Sequence, residues 1–349
     1  MQNNKRILFS RSTLGWLALA VTAVLLMAYA LPGGYDYETT YRPTAEKFLR
    51  GETRLYDDAS RGYYNAPWLL LFVIPTLPFG LAVGYILFAG LSLVGIAYAV
   101  WHSAYLLPEK PSRLTTVLAV ITWHTFSLIF LGQVDVVTLV GTVLGWWSIR
   151  RRNPWGLSAA FWFLAVKPLN VILVGVLFLL EIRKWTWREM AQAFSLPAVS
   201  VILSNFLLGN DWIFRYIENL GADPPDELFI ASVWKGARLL GFPQVLVAGL
   251  MLAGLVVFLR SAWLQGVNFW TLSQAVTLNL FFSPYAYIHH YVLLIPVFLG
   301  LKGRWRAAAY ALTWFIIPRA ILGPDAAALD VFYPLLLYIA VRQFSSKIS

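Results

Sequence analysis

Apolar residues in this chain come in long unbroken runs, with neither strand alternation nor a single helical stripe. Leu14–Leu31 reads LGWLALAVTAVLLMAYAL with no charge in it, and runs of similar character recur as far as Val341. A backbone that faces lipid must bond to itself, and runs without a period of two are not barrel strands. The pattern therefore predicts an all-α polytopic membrane protein. No small-residue cleavage site follows the first run, so it reads as a retained helix and not as a signal peptide.

Basic residues orient the runs. They gather at Lys5/Arg6/Arg11, Lys110/Arg113, Arg150–Arg152, Arg183/Lys184/Arg188, Lys302/Arg304/Arg306 and Arg342/Lys347. With every cluster on the cytoplasmic side, the N-terminus is inside and the chain crosses about 12 times. Leu14–Leu31 leads to a long external loop, Pro32–Asn65. Pro67–Phe79 (PWLLLFVIPTLPF) is short and holds three prolines, so it reads as a re-entrant piece before a full helix, Leu81–Leu106. One crossing joins Lys110 to Gly132 and another returns to Arg150. Arg150–Arg183 forms a hairpin with Lys167-Pro168 at its external turn. Phe194–Leu208 leads out, Gly209–Phe242 is external, Val245–Leu259 returns, and Phe269–Phe282 leads to an external turn, Ser283–His290. Val292–Leu301, Arg306–Leu322 and Ala327–Val341 complete the bundle. No repeat or linker divides it, so residues 1–349 form one domain.

Composition agrees: 59% of the chain is hydrophobic and 13% charged, with a mean hydropathy of +0.65, where soluble domains carry about 25% charged residues. The net charge of +10 belongs to cytoplasmic loops, and without a soluble basic module nucleic-acid binding is excluded. The absence of cysteine rules out disulfides, thiolate nucleophiles and thiolate metal sites.

This threading places most carboxylates on the external face, although they took no part in setting it. In the first external loop, GGYDYETTYRP carries Asp36 and Glu38 at the membrane edge. Beyond them Thr44 can N-cap a helix through Leu49 that Gly51 ends, and Phe48, Leu49, Leu55 and Tyr56 would hold it flat on the interface, a lid over Asp36. A carboxylate in low-dielectric surroundings can act as a base toward a hydroxyl; the plainer reading of Asp36 is a solvated juxtamembrane acid. GQVD brings Gln133, an amide suited to sugar hydroxyls, and Asp135, either a functional intramembrane acid or a helix-start acid favoured by the macrodipole. Lys167, beside the helix-breaking Pro168, is a cation for a phosphate oxygen or a snorkelling anchor. His289 and His290 are adjacent and diverge by about 100° on an α-helix, so one of them faces a cavity and the two are poor joint metal ligands. His102 and His124 read as structural, and Tyr35, Tyr37 and Tyr41 as interface anchors.

Taken in order, the acid after the first helix, FLRGETRLYDD, YYNAPWLLLFVIPTLPF, GQVDVVTLV, RRRNPWG, AAFWFLAVKPLNVILV and SPYAYIHHYVLLIPVF resemble glycosyltransferase family 87, polytopic enzymes of the GT-C fold. The resemblance runs from about Leu14 to Leu301. It implies an inverting sugar transfer, most often of mannose, from a polyprenyl-phosphate donor to a glycolipid or polysaccharide acceptor. It also implies an extracytoplasmic active site in the plasma membrane and no required cofactor. By position it makes Asp36 the base, with Glu38 the alternative. It assigns Gln133, Asp135, Lys167, His289 and His290 to the donor's sugar and phosphate; the chemistry itself, which needs cations for a leaving phosphate, adds Arg42 or Arg61. The family more often has Tyr-x-Pro-Pro where this chain has YYNAPW (Tyr63–Trp68). A transporter or flippase of a lipid-linked sugar is the rival reading. It would show inverted repeats and paired broken helices, whereas the polar signals here lie on one face. A scaffold subunit of an envelope complex is a third reading.

Overall fold

The structure is a computed structural model that describes residues 34–56, 63–222, 231–314 and 330–345, with positions 15, 18, 22 and 26 of the first apolar run. Every regular element among the described residues is helical.

A π-helical turn, Tyr37–Tyr41, runs without a break into α1, Arg42–Leu49. This corrects the expected cap at Thr44. That residue is buried inside the helix, and its hydroxyl donates to the Thr40 carbonyl at 2.7 Å. Gly51 ends the helix as expected, with φ at +81° and its N–H on the Phe48 carbonyl at 3.0 Å. Tyr35 is exposed, but Tyr37 and Tyr41 are core residues and not interface anchors. The wider π turn rotates both rings onto Phe88 of the next long helix. Leu55 and Tyr56 are likewise buried, and the Tyr56 hydroxyl donates to the Asn65 carbonyl.

The proline-rich piece is the short element the sequence predicts: a 3₁₀ turn at Pro67–Leu69, an α turn at Leu70–Val73 and a second 3₁₀ turn at Ile74–Thr76. Pro67 and Pro75 sit in first turns, where a missing N–H costs nothing. Helix α2 spans Leu81–Leu106, the predicted bounds. The next crossing is two helices, α3 (Arg113–Val120) and α4 (Trp123–Leu131). They break where the Thr122 side chain accepts the Thr125 N–H and so starts a new helix. Then follow α5 (Asp135–Arg151), α6 (Pro154–Leu164) and α7 (Ile172–Ile182), the last two forming the predicted hairpin around Lys167. Helix α8 spans Trp187–Leu208, starting ahead of Phe194 because Thr186 and Glu189 close a capping box.

The described residues of the loop Gly209–Phe242 include α9 (Trp212–Ala222) and α10 (Val233–Leu239). Helices α11 (Gln244–Gln265) and α12 (Phe269–Phe282) precede a 3₁₀ segment, Ile288–Leu294, which continues into α13 (Ile295–Gly300). The chain closes with α14 (Gly303–Trp314) and α15 (Phe332–Ser345). Most of the first predicted helix and the end of Arg306–Leu322 lie outside the described residues.

Among the described residues four stretches are long and apolar enough to cross a membrane alone: Leu81–Leu106, Arg113–Leu131, Trp187–Leu208 and Gln244–Gln265. On α8 and α11, Phe206, Leu207, Val245 and Leu264 point outward, as side chains do when the solvent is lipid. The core lies between α2, α5, α12 and α13, where Leu93, Ile96, Leu139, Ala275, Leu280 and Val297 are buried. Helix α5, 17 residues long, spans about 25 Å. It separates an acidic end at Asp135 from a basic end. At the basic end Arg150 donates to the Leu106 carbonyl, Arg152 grips Glu189 with two bonds, and Arg306 reaches Thr115.

Candidate active site

The acidic end of the bundle gathers residues from four separate segments. Asp36 precedes the π turn, Gln133 and Asp135 open α5, Lys167 and Asn170 occupy the α6–α7 turn, and the histidines lie on the 3₁₀ segment after α12. Gln133 Nε2 donates to Asp36 Oδ2 at 2.6 Å. Gln133 Oε1 accepts from Lys167 Nζ at 2.9 Å and from the Tyr41 hydroxyl at 3.0 Å. Lys167 Nζ also lies 3.1 Å from Asp135 Oδ2, and Asn170 Nδ2 donates to Asp135 Oδ1 at 2.8 Å. His289 Nε2 and His290 Nε2 stand 3.7 and 3.6 Å from the two oxygens of the same carboxylate. Asp135 is fully buried, and charges buried this deeply persist only when paired and hydrogen-bonded.

Backbone geometry allows this convergence. Gly132 adopts φ +70°, and the N–H of Gly34 donates to the Phe130 carbonyl at 2.7 Å. The first loop is thereby fastened to the end of α4 just ahead of Gln133. On the other side, Asn279 of α12 accepts the Leu173 N–H at 3.0 Å and donates to the Leu169 carbonyl at 2.9 Å, which pins the turn that presents Lys167. The Ala66 N–H donates to the Val166 carbonyl at 3.1 Å. A proline at that position, as in Tyr-x-Pro-Pro, has no such hydrogen, so the departure from that pattern adds a contact behind Lys167.

Asp36 is half-buried, and burial raises its carboxyl above the usual range; the hydrogen bond from Gln133 and the Lys167 charge oppose the rise, while Asp135 adds to it. Burial also pushes the Tyr41 phenol well above its ordinary value, and the nearby carboxylates push the same way. Tyr41 therefore stays protonated and serves as a donor.

The structure brings Asp36, Gln133, Asp135, Lys167, His289 and His290 together. It turns Arg42 elsewhere: its guanidinium bonds the Leu77 and Phe79 carbonyls and pairs with Glu46 at 3.0 Å. Arg61 lies outside the described residues. Glu38, two positions beyond Asp36, is exposed and outside this hydrogen-bonded set. His102 bonds its own helix at Tyr98, and His124 packs between Tyr291 and Tyr333.

The expected divergence of His289 and His290 is corrected: both Nε2 atoms approach the Asp135 carboxylate. On a 3₁₀ segment successive residues turn by about 120°, yet the two ring centroids lie only 4.4 Å apart, edge to face. Asp135 fills the notch between them, so each ring meets a different oxygen. Tyr41, Asn170 and Asn279 were missed. A tyrosine beside an interface and lone asparagines near helix ends look like anchors and turn residues until packing shows their partners.

Asp135, His289 and His290 have metal-ligand atoms all within 4.8 Å of one another. The surrounding donors do not suit a cation. The Lys167 ammonium already holds one Asp135 oxygen. The Tyr287 N–H donates to His290 Nδ1 at 3.2 Å, so in the neutral ring the proton is on Nε2, where a metal would need the lone pair. Around Asp135 the Lys167 ammonium and the Asn170 amide are hydrogen-bond donors, groups suited to a phosphate oxygen and not to a cation.

No curated protein and no solved structure shows a significant match to the chain. A family model matches residues 63–284, a span that contains Gln133, Asp135, Lys167 and Asn170 and is flanked by Asp36 and the two histidines. The matched span is more than half of the chain, which belongs to glycosyltransferase family 87.

Proposed function

We propose that the protein transfers a sugar, mannose in the family's common case, from a polyprenyl-phosphate donor to a hydroxyl of a glycolipid or polysaccharide. The reading places the reaction on the extracytoplasmic face of the plasma membrane, in a GT-C-like bundle of about 12 crossings with its N-terminus inside. The observation that carries it is the single amide linking Asp36 to Lys167, with bonds of 2.6 and 2.9 Å. It sets a carboxylate and a cation side by side at the end of the bundle opposite the basic clusters.

In this mechanism Asp36 accepts the proton of the acceptor hydroxyl as its oxygen attacks the anomeric carbon. The bond from that carbon to the phosphate oxygen breaks, and polyprenyl phosphate leaves with the electron pair. Lys167, with the Nε2 hydrogen of His290 and the neighbouring His289 ring, stabilises the charge that develops on the phosphate. Inversion follows from the single displacement, and no covalent enzyme intermediate is needed. A lipid phosphate leaves without metal assistance when such donors are in place, so a chelator should leave the rate unchanged.

Purified protein incubated with several polyprenyl-phosphate sugars and a membrane lipid extract, with products read by mass spectrometry, tests the reading. Asp36→Asn should abolish product and still bind donor. Full transfer by that variant would remove Asp36 as the base and bring Glu38 and Asp135 forward. Movement of intact lipid-linked sugar between leaflets, with no product, would favour the transporter.

A further inference from the structure

Gln133 lies between two groups that admit only one orientation of its amide. An ammonium has donors and no acceptor, and a carboxylate has acceptors and no donor. With Lys167 on one side and Asp36 on the other, the oxygen must face Lys167 and the nitrogen must face Asp36. Tyr41, kept protonated, adds a second donor to the same oxygen at 3.0 Å. Both lone pairs of Oε1 are thus occupied, and one of the two amide hydrogens is committed to Asp36. Little of Gln133 is left to read a sugar.

We infer that Gln133 and Tyr41 are positioning residues that fix the orientation and the proton affinity of Asp36. The inference rests on Asp36 being the base proposed above. Tyr41 locks the amide, the amide aims Asp36 Oδ2, and the donated hydrogen bond favours the carboxylate over the acid. Among the described residues the charged groups facing Asp36 are Lys167 and Asp135, with Tyr41 from its own helical turn. Arg42 and Glu46 pair with each other, and Tyr85, on the α2 face against the turn, donates to the Ile129 carbonyl.

The test is an infrared titration of the full-length protein in lipid nanodiscs. The Asp36 carboxyl band is assigned by its loss in Asp36→Asn. Gln133→Leu should move the titration midpoint upward by about one pH unit, the size of one hydrogen bond to an ionised group. Tyr41→Phe, which removes one oxygen from a buried ring, should move it in the same direction by less and keeps the test open if Gln133→Leu does not fold. An unchanged midpoint in a folded variant overturns the inference. Transfer by Asp36→Asn would instead overturn the base itself, whatever the midpoints do.

Discussion

Gly132 and Gly34 meet backbone to backbone: a Cβ placed on Gly132 would lie 3.0 Å from the Gly34 Cα, and 2.9 Å from the Tyr37 Cβ. This approach lets the first loop reach Gln133. Gly132→Ala must adopt φ +70° with a methyl group against backbone, at a cost of about 1–3 kcal/mol. It should also push Asp36 away from the amide. Thermal unfolding and initial transfer rates should both fall, the rate more than ten-fold.

Asp36→Asn should leave stability intact or raise it at neutral pH. Burial raises the Asp36 carboxyl above its unfolded value, so the folded protein holds that proton more tightly than the unfolded chain. Stability is then full below the unfolded value and declines as pH rises through the folded one. The asparagine variant has no such decline. Melting temperatures of both proteins from acid to neutral pH should diverge with increasing pH, with the wild type lower.

The same raised carboxyl sets the acid limb of the reaction. A base must be deprotonated to act, so transfer should drop as pH falls through the folded Asp36 value, above the usual carboxylate range. A pH–rate profile of the wild type measures this limb, and Gln133→Leu should shift it toward neutral pH.

Lys167→Met leaves Asp135, with a fully buried side chain, without its ammonium partner. Breaking such a pair from one side costs about 3–5 kcal/mol. Adding Asp135→Asn should recover much of that loss, because no buried charge then remains. Denaturation of both single variants and the double variant measures the coupling. Transfer should stay low in every combination that lacks Lys167.

Asn279→Leu removes the two bonds that tie α12 to the α6–α7 turn and strands the Leu173 N–H and the Leu169 carbonyl, each costing about 1–3 kcal/mol when left unpaired. Faster hydrogen exchange at Leu173 is the expected signature. A higher KM for the donor with a smaller change in kcat should accompany it, since Lys167 would be held less firmly.

Much of the bundle was legible because lipid imposes one requirement on every crossing. Residues buried in hydrocarbon must be apolar and internally bonded, so Leu81–Leu106 and Phe269–Phe282 appear as runs with the bounds the structure gives. Lys167-Pro168 was legible as a turn because proline ends helices. The break at Thr122, the π turn at Tyr37–Tyr41 and the burial of both tyrosines were not. Each depends on which neighbour a side chain meets, and hydropathy carries no record of neighbours.

The site divides along the same line. The amino-acid sequence alone determined that the chain is a helical membrane protein and that Asp36, Gln133, Asp135, Lys167 and the His289–His290 pair are polar residues at the ends of apolar runs, where charge is expensive. Only the tertiary structure decided that these residues share one network, that Asp135 draws both histidines, that Arg42 is occupied elsewhere, and that Tyr41, Asn170 and Asn279 complete the arrangement. Helix packing brings Asp36 and Gln133 together across 97 positions, and Asn279 and Leu169 across 110. Hydrogen bonds across such separations are set by close approach at Gly34 and Gly132 and by donor–acceptor chemistry in a dry interior, where each buried polar group must find a partner.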